Sequence, residues 1–261
     1  MDDRITVSRL MEIYRAGEPI AALTAYDYFT ASFIDSVGVD IILVGDSVEM
    51  VLYGADSTLT ASMEKMLSHT EAVAEGVKRS LVVADMPFLS YQTSLADAVR
   101  NAGQFLQAGA QAVKLEGGWR YAPVVRAIVD AGIPVMAHIG MLPQSVHKIG
   151  GYITQGRDED EIRTLLEDAS ALQEAGAFSI VLEKIDKNNA KRITDSTEIP
   201  TIGIGSGPHC DGQILVVNDI LGMYDKFTPP FVKKYADIKS EIIKAASAYV
   251  KDVKQKKYPE G

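Results

Sequence analysis

Short apolar runs alternate with longer stretches of helically spaced apolar residues along nearly the whole chain. That alternation limits the possible folds more than any other feature. The runs cover residues 19–24, 40–44, 81–85, 112–116, 133–139, 178–182, 200–204 and 214–217. Between them lie helical stripes such as Met63, Met66, Leu67, Thr70, Val73 and Val77, for which Thr60 offers a cap, or Leu95, Val99, Ala102 and Leu106. Gly38, Gly109, Gly132 and Gly176 each close a helix within three residues of the next run. Strands alternating with helices imply a parallel sheet. Near-continuous apolar runs imply that both sheet faces are covered. Eight such units in 261 residues suit a closed (β/α)8 barrel, an α/β TIM barrel. An open doubly wound sheet is the alternative, with fewer strands as a rule. A further helix precedes the first strand: Thr6 caps Val7, Leu10, Met11 and Tyr14, and Gly17 closes it. A last amphipathic helix is expected to carry Phe231, Tyr235, Ile238, Ile242, Tyr249 and Val253. With no linker or composition break, residues 1–261 are expected to form a single domain.

Composition narrows the function. A net charge of −9 argues against a nucleic-acid partner, which needs a basic surface. Cys210 is the one cysteine, so no intrachain disulfide forms and a reducing compartment fits. Neither a signal peptide nor a membrane span is apparent, and the expectation is a cytoplasmic protein.

The strands end in charge. Asp27, Asp46, Asp85, Lys114 with Glu116, His138, Glu183, the glycine stretch 203–207 and Asp219 all fall at or just past strand ends. In Val113-Lys114-Leu115-Glu116, alternation sends Lys114 and Glu116 to the same face. In a barrel the C-terminal strand ends meet at one mouth. A lone strand-end Asp is more often a helix cap than a ligand. Several together repel unless a cation sits among them. Asp46, Asp85 and Glu116 come from consecutive strands and offer only oxygen, which points to a hard divalent ion, most simply Mg²⁺. Lys114 suits either an internal ion pair or a grip on a substrate anion. Glu183 suits a general base, and His138 either a rim hydrogen bond or a catalytic part. The glycines of 203–207 follow the seventh strand, where barrels often bind phosphate, and an empty turn fits equally well.

The motifs Leu23-Thr-Ala-Tyr-Asp27, Leu43-Val-Gly-Asp-Ser47, Asp56-Ser-Thr58, Ala84-Asp-Met-Pro-Phe88, Val113-Lys-Leu-Glu-Gly-Gly118, Gly140-Met-Leu-Pro-Gln-Ser145, Val181-Leu-Glu183 and Asp211-Gly-Gln213 follow one another in order. In these the chain resembles the ketopantoate hydroxymethyltransferase family. The resemblance implies a barrel of the phosphoenolpyruvate/pyruvate superfamily. It implies hydroxymethyl transfer from 5,10-methylenetetrahydrofolate to 2-oxoisovalerate, the first step toward pantothenate. It implies Asp46, Asp85 and Glu116 as the Mg²⁺ shell and Asp46, Ser47, Asp85 and Lys114 as keto-acid contacts. Glu183 would be the proton acceptor, and the assembly a large homo-oligomer, with a decamer expected. Two departures stand out. Val48-Glu49-Met50 stands where the family usually has Leu-Gly-Met, and Ser206 where Ala is common. Glu49 is expected to face solvent; facing inward, it would hinder folate or repel the keto acid. Competing readings are a barrel that binds keto acid or folate without turnover, and a sibling oxyacid lyase of the same superfamily.

Overall fold

The computed structural model describes residues 4–224 and 226–259. Eight parallel strands close into a barrel in chain order: β1 (Ile20–Thr24), β2 (Ile41–Val44), β3 (Leu81–Asp85), β4 (Ala112–Glu116), β5 (Val135–Gly140), β6 (Ser179–Glu183), β7 (Thr201–Ile204) and β8 (Gly212–Leu215). The Ile20 N–H donates to the Asp211 carbonyl at 3.0 Å where the first strand meets the last. The helices are α1 (Val7–Arg15), α2 (Tyr28–Ser36), α3 (Val48–Val51), α4 (Met63–Gly76), α5 (Leu95–Gln107), α6 (Ala122–Asp130), α7 (Val146–Ile149), α8 (Glu159–Glu174), α9 (Lys187–Ser196), α10 (Val217–Ile220) and α11 (Ile238–Lys254). Among the described residues no helix is long and apolar enough to cross a membrane.

Every residue of β2, β3 and β4 is buried, as strands covered on both faces require. Inside the barrel, alternate residues form one apolar cluster: Ile20, Ala22, Ile41, Leu43, Leu81, Val83, Ala112, Met136, Val181, Ile202 and Ile214. Ile5, Leu10 and Ile13 join it. Since Ile20, Ile41 and Leu81 begin their strands, α1 and the residue before its cap stopper the N-terminal end. Thr6 caps this helix by accepting from the Arg9 N–H. Each buried aliphatic side chain of this kind contributes about 1.5–3 kcal/mol. Two residues further along, the same inward positions carry titratable side chains. Val83 is followed by Asp85, Ala112 by Lys114 and then Glu116, Met136 by His138, and Val181 by Glu183. The register sets Asp85 beside Lys114 and Glu116 beside His138.

Several boundaries differ from expectation. The run 214–217 straddles the end of β8 and the start of α10, so Asp219 lies in a helix instead of at a strand end. β8 starts earlier, at Gly212, where a side chain would lie 2.6 Å from the Ile20 carbonyl oxygen. Helix α4 is capped by Ser62, whose hydroxyl accepts from the Lys65 N–H, and Thr60 ends a short 3-10 turn before it. Asp27 caps α2 through the Thr30 N–H. The chain divides into two compact units, Met1–Ile214 and Leu215–Gly261. In the second, the Tyr235 and Ala236 N–H groups donate to the Ile220 carbonyl, and α11 starts at Ile238, after Phe231 and Tyr235.

Candidate active site

Of the charged residues expected at the strand ends, Asp46, Asp85, Lys114, Glu116, His138 and Glu183 are gathered at the C-terminal end of β2 to β6, whereas Asp27 caps α2 and Asp219 lies in α10. Asp46, Asp85, Lys114, Glu116 and His138 are each no more than 4 % exposed. Gly45 lets the chain double back after β2, since a Cβ there would sit 2.7 Å from Ser47 Oγ. The Asp46 N–H then points at Asp85 Oδ2, 3.4 Å away. Lys114 Nζ donates to Asp85 Oδ1 at 2.7 Å and lies 3.8 Å from Glu116 Oε1. The strongest partner of Lys114 is therefore the acid on the next strand, and not the acid two residues along its own. His138 lies between two carboxylates, with Nδ1 3.7 Å from Glu116 Oε1 and Nε2 3.4 Å from Glu183 Oε2. Both of its ring nitrogens are buried without a hydrogen-bond partner.

The electrostatics follow from crowding four acids around one cation. Burial, then the Asp85 charge, raises the Asp46 pKa to about 7. Burial lifts Glu116 well above the usual carboxylate range, against the pull of Lys114. Burial likewise raises Glu183 to about 8. Burial opposes the charge on Lys114, but Asp85, Glu116 and Asp46 outweigh it and raise its pKa. Burial and the Lys114 charge together depress His138 well below its ordinary value, so its imidazole is neutral at pH 7.

Three residues with no expected role organise this cluster. Gln144, from the loop after β5, donates its side-chain amide to Asp46 Oδ2 at 3.0 Å and to the Met86 carbonyl at 2.9 Å. Its backbone N–H donates to Glu116 Oε2 at 3.0 Å. The Tyr91 hydroxyl donates to Gln144 Oε1 at 2.8 Å and accepts from the Glu116 N–H at 3.2 Å. Tyr26 shares a hydrogen bond with Ser47 through their hydroxyls at 2.8 Å. Gln144 lies in the motif Gly140–Ser145, the one sequence signal that marked its neighbourhood.

The glycine stretch 203–207 serves the β6 end. Ser206 Oγ donates to the Leu182 carbonyl at 2.7 Å and accepts from the Ile185 N–H at 3.0 Å, which brackets Glu183 on both sides. Lys184 turns away from Glu183 at φ +47° and donates Nζ to the Tyr152 carbonyl. Glu49 does not face solvent as expected. It is 2 % exposed, pairs with Lys65 Nζ at 2.9 Å and accepts from Thr60 Oγ1 at 2.9 Å. A buried carboxylate needs such partners.

Among the described residues no three His, Cys, Asp or Glu side chains form a ready-made metal cage. Mg²⁺ does not require one, because it is commonly held by one or two carboxylates and completed by water and substrate oxygens. The all-oxygen donors Asp46, Asp85 and Glu116 fit such an ion, whose charge would favour their ionised forms.

Comparison with known proteins identifies the lineage. The ketopantoate hydroxymethyltransferase family matches residues 4–261. The 3-methyl-2-oxobutanoate hydroxymethyltransferase of Carboxydothermus hydrogenoformans is 56% identical over 259 residues, covering 99% of this chain and 94% of that protein. The Geobacter metallireducens enzyme of the same name is 51% identical, covering 100% and 98%. Among solved structures, phosphonopyruvate hydrolase in complex with oxalate and Mg++ is similar at a TM-score of 0.62 with 16% identity, covering 98% of this chain and 87% of that one. A 2,3-dimethylmalate lyase of the PEP mutase/isocitrate lyase superfamily also gives 0.62, with 18% identity and coverage of 98% and 89%. The fold shared with these structures is the closed (β/α)8 barrel, and the chain, a transferase, belongs to the ketopantoate hydroxymethyltransferase family.

Proposed function

We propose that the enzyme transfers a hydroxymethyl group from 5,10-methylenetetrahydrofolate to 2-oxoisovalerate, giving ketopantoate for pantothenate synthesis, with Mg²⁺ as cofactor. The observation that carries this reading is one basic carboxylate, Glu183, facing a buried cluster of one lysine and three acids across a neutral histidine. Mg²⁺, held by Asp46, Asp85 and Glu116, would supply Lewis acidity to the keto acid's carbonyl. Asp46, Ser47, Asp85 and Lys114 orient the keto acid. Glu183 takes the proton from C3, and its raised pKa of about 8 matches that task near neutral pH. The Lys114 ammonium stabilises the negative charge that develops on the substrate. His138, neutral and 3.4 Å from Glu183, hydrogen-bonds the carboxyl once Glu183 is protonated. The C3 carbon then bonds to the folate methylene as one of its two carbon–nitrogen bonds breaks, and the freed nitrogen takes the proton that Glu183 removed. Water displaces the second nitrogen, its hydroxyl staying on the methylene carbon and its proton going to that nitrogen, and tetrahydrofolate departs.

We also propose a cytoplasmic homo-oligomer, with a decamer as the expected size. Its support is the apolar stripe of Phe29 and Phe33 on α2 with Val37 just past its end, left 66%, 66% and 78% exposed. The test of the chemistry is turnover of 2-oxoisovalerate with Mg²⁺, with and without 5,10-methylenetetrahydrofolate. Ketopantoate should form only with the folate. Cleavage of an oxyacid without folate would instead favour a lyase.

A further inference from the structure

Of the buried acids that the mechanism leaves unused, Glu49 lies next to the site. Glu49 stands on α3, three residues after Asp46, and its own backbone N–H donates to the Asp46 carbonyl at 3.1 Å. Its carboxylate reaches away from the acid cluster to Lys65 on α4, with the two oxygens 2.9 and 3.2 Å from Nζ. One turn further along α4, His69 Nδ1 meets the Tyr26 carbonyl at 2.6 Å. Tyr53 links the two: its ring lies 4.5 Å under Lys65 Nζ, and its hydroxyl meets His69 Nε2 at 3.1 Å. Tyr26 in turn holds Ser47 through its hydroxyl at 2.8 Å. These contacts close a ring from Glu49 through Lys65, Tyr53, His69 and Tyr26 back to Ser47, two residues from its start. Thr60 fastens the same carboxylate to the 3-10 turn Thr58–Thr60.

We propose that the Glu49–Lys65 ion pair is a positioning clamp that fixes the Asp46–Ser47 turn against α4 and so sets the affinity for the keto acid. The turn carrying Asp46 and Ser47 leaves β2 through Gly45, a residue of high conformational freedom. Helix α3, with only four residues, is too short to hold itself. A tie on its far side is needed to keep Asp46 and Ser47 where the substrate oxygens arrive. Glu49 is acidic but does not act on substrate, because both its oxygens are committed to Lys65 and Thr60. Groups that orient the residues touching a metal or substrate commonly carry a 10–100-fold effect when removed.

The proposal rests on the function reading above only for the identity of the substrate, and two measurements separate them. Lys65→Met keeps the aliphatic stem and removes the charge at a partly exposed position. It should raise KM for 2-oxoisovalerate about tenfold with kcat little changed. Lys65→Arg should restore KM, Glu49→Gln should behave as Lys65→Met does, and the double variant should be no worse than either single one. In parallel, amide hydrogen exchange of the peptide spanning 45–52 should speed up in Lys65→Met, while the core of α4 keeps its protection. Faster exchange with an unchanged KM overturns the clamp as a positioning device, and so does an unchanged amide pattern. Wild-type enzyme that does not convert 2-oxoisovalerate would sink the function reading instead, and the amide pattern alone would then decide the clamp.

Discussion

The two halves of the barrel interior are built from the same strands by the same alternation, and they behave in opposite ways. Toward the strand starts, Ile41, Leu81, Ala112 and Met136 face Leu10 and Ile13 in an apolar plug. Toward the strand ends, Asp85, Lys114, Glu116 and His138 fill the equivalent positions almost as completely buried. The first half stabilises the fold by removing apolar surface from water. The second half costs stability, because buried acids outnumber the cation beside them. A strand thus keeps the barrel closed at one end and presents buried polar and charged groups at the other, and a shift of two residues along it decides which.

The largest break of that contrast lies at Glu183. Glu183→Gln should lower the rate of ketopantoate formation about 10²–10⁴-fold, the usual share of a general base, while keto-acid binding by calorimetry persists. At the other end, Leu10→Ala should cost about 2–5 kcal/mol in denaturant unfolding, with kcat retained below the transition. Comparable losses of kcat and stability in that variant would mean that the two halves are coupled.

A third effect is a dependence on pH. Asp46 and Glu183 have folded pKa values raised to about 7 and about 8. The folded state therefore holds their protons more tightly than the unfolded chain does. The stability they contribute is complete below the ordinary carboxylate range and is lost as pH rises through 7 and 8. Lys114, raised as well, loses its contribution only above the ordinary lysine range, outside this window. The melting temperature of metal-free protein should fall between pH 5 and pH 9, and Asp46→Asn should flatten that fall. A rise across the same range would contradict the account of the charged half.

The barrel was legible because two periodicities alternate down the chain and the glycines mark where one gives way to the other. Asp85, Lys114, Glu116 and Glu183 were legible because a charge at an inward strand position is hard to explain otherwise. Gln144, Tyr91 and Tyr26 were not, since they are neutral, come from loops and act through hydrogen bonds that strand spacing does not encode. Glu49 was misjudged for a related reason. Its partner Lys65 is 16 residues away on another helix, and only the packing of α3 against the 3-10 turn and α4 brings them together. Asp219 was misplaced because an apolar run does not show where a strand ends and a helix begins.

The charged end of the barrel is proposed to remove a proton from a keto acid. Exchange of the C3 proton of 2-oxoisovalerate in D₂O, followed by proton NMR with Mg²⁺ and without folate, tests it most directly. The wild-type enzyme should exchange that proton and Glu183→Gln should not, although both bind the keto acid. Absence of exchange in the folded wild-type enzyme, or equal exchange in both proteins, would contradict it.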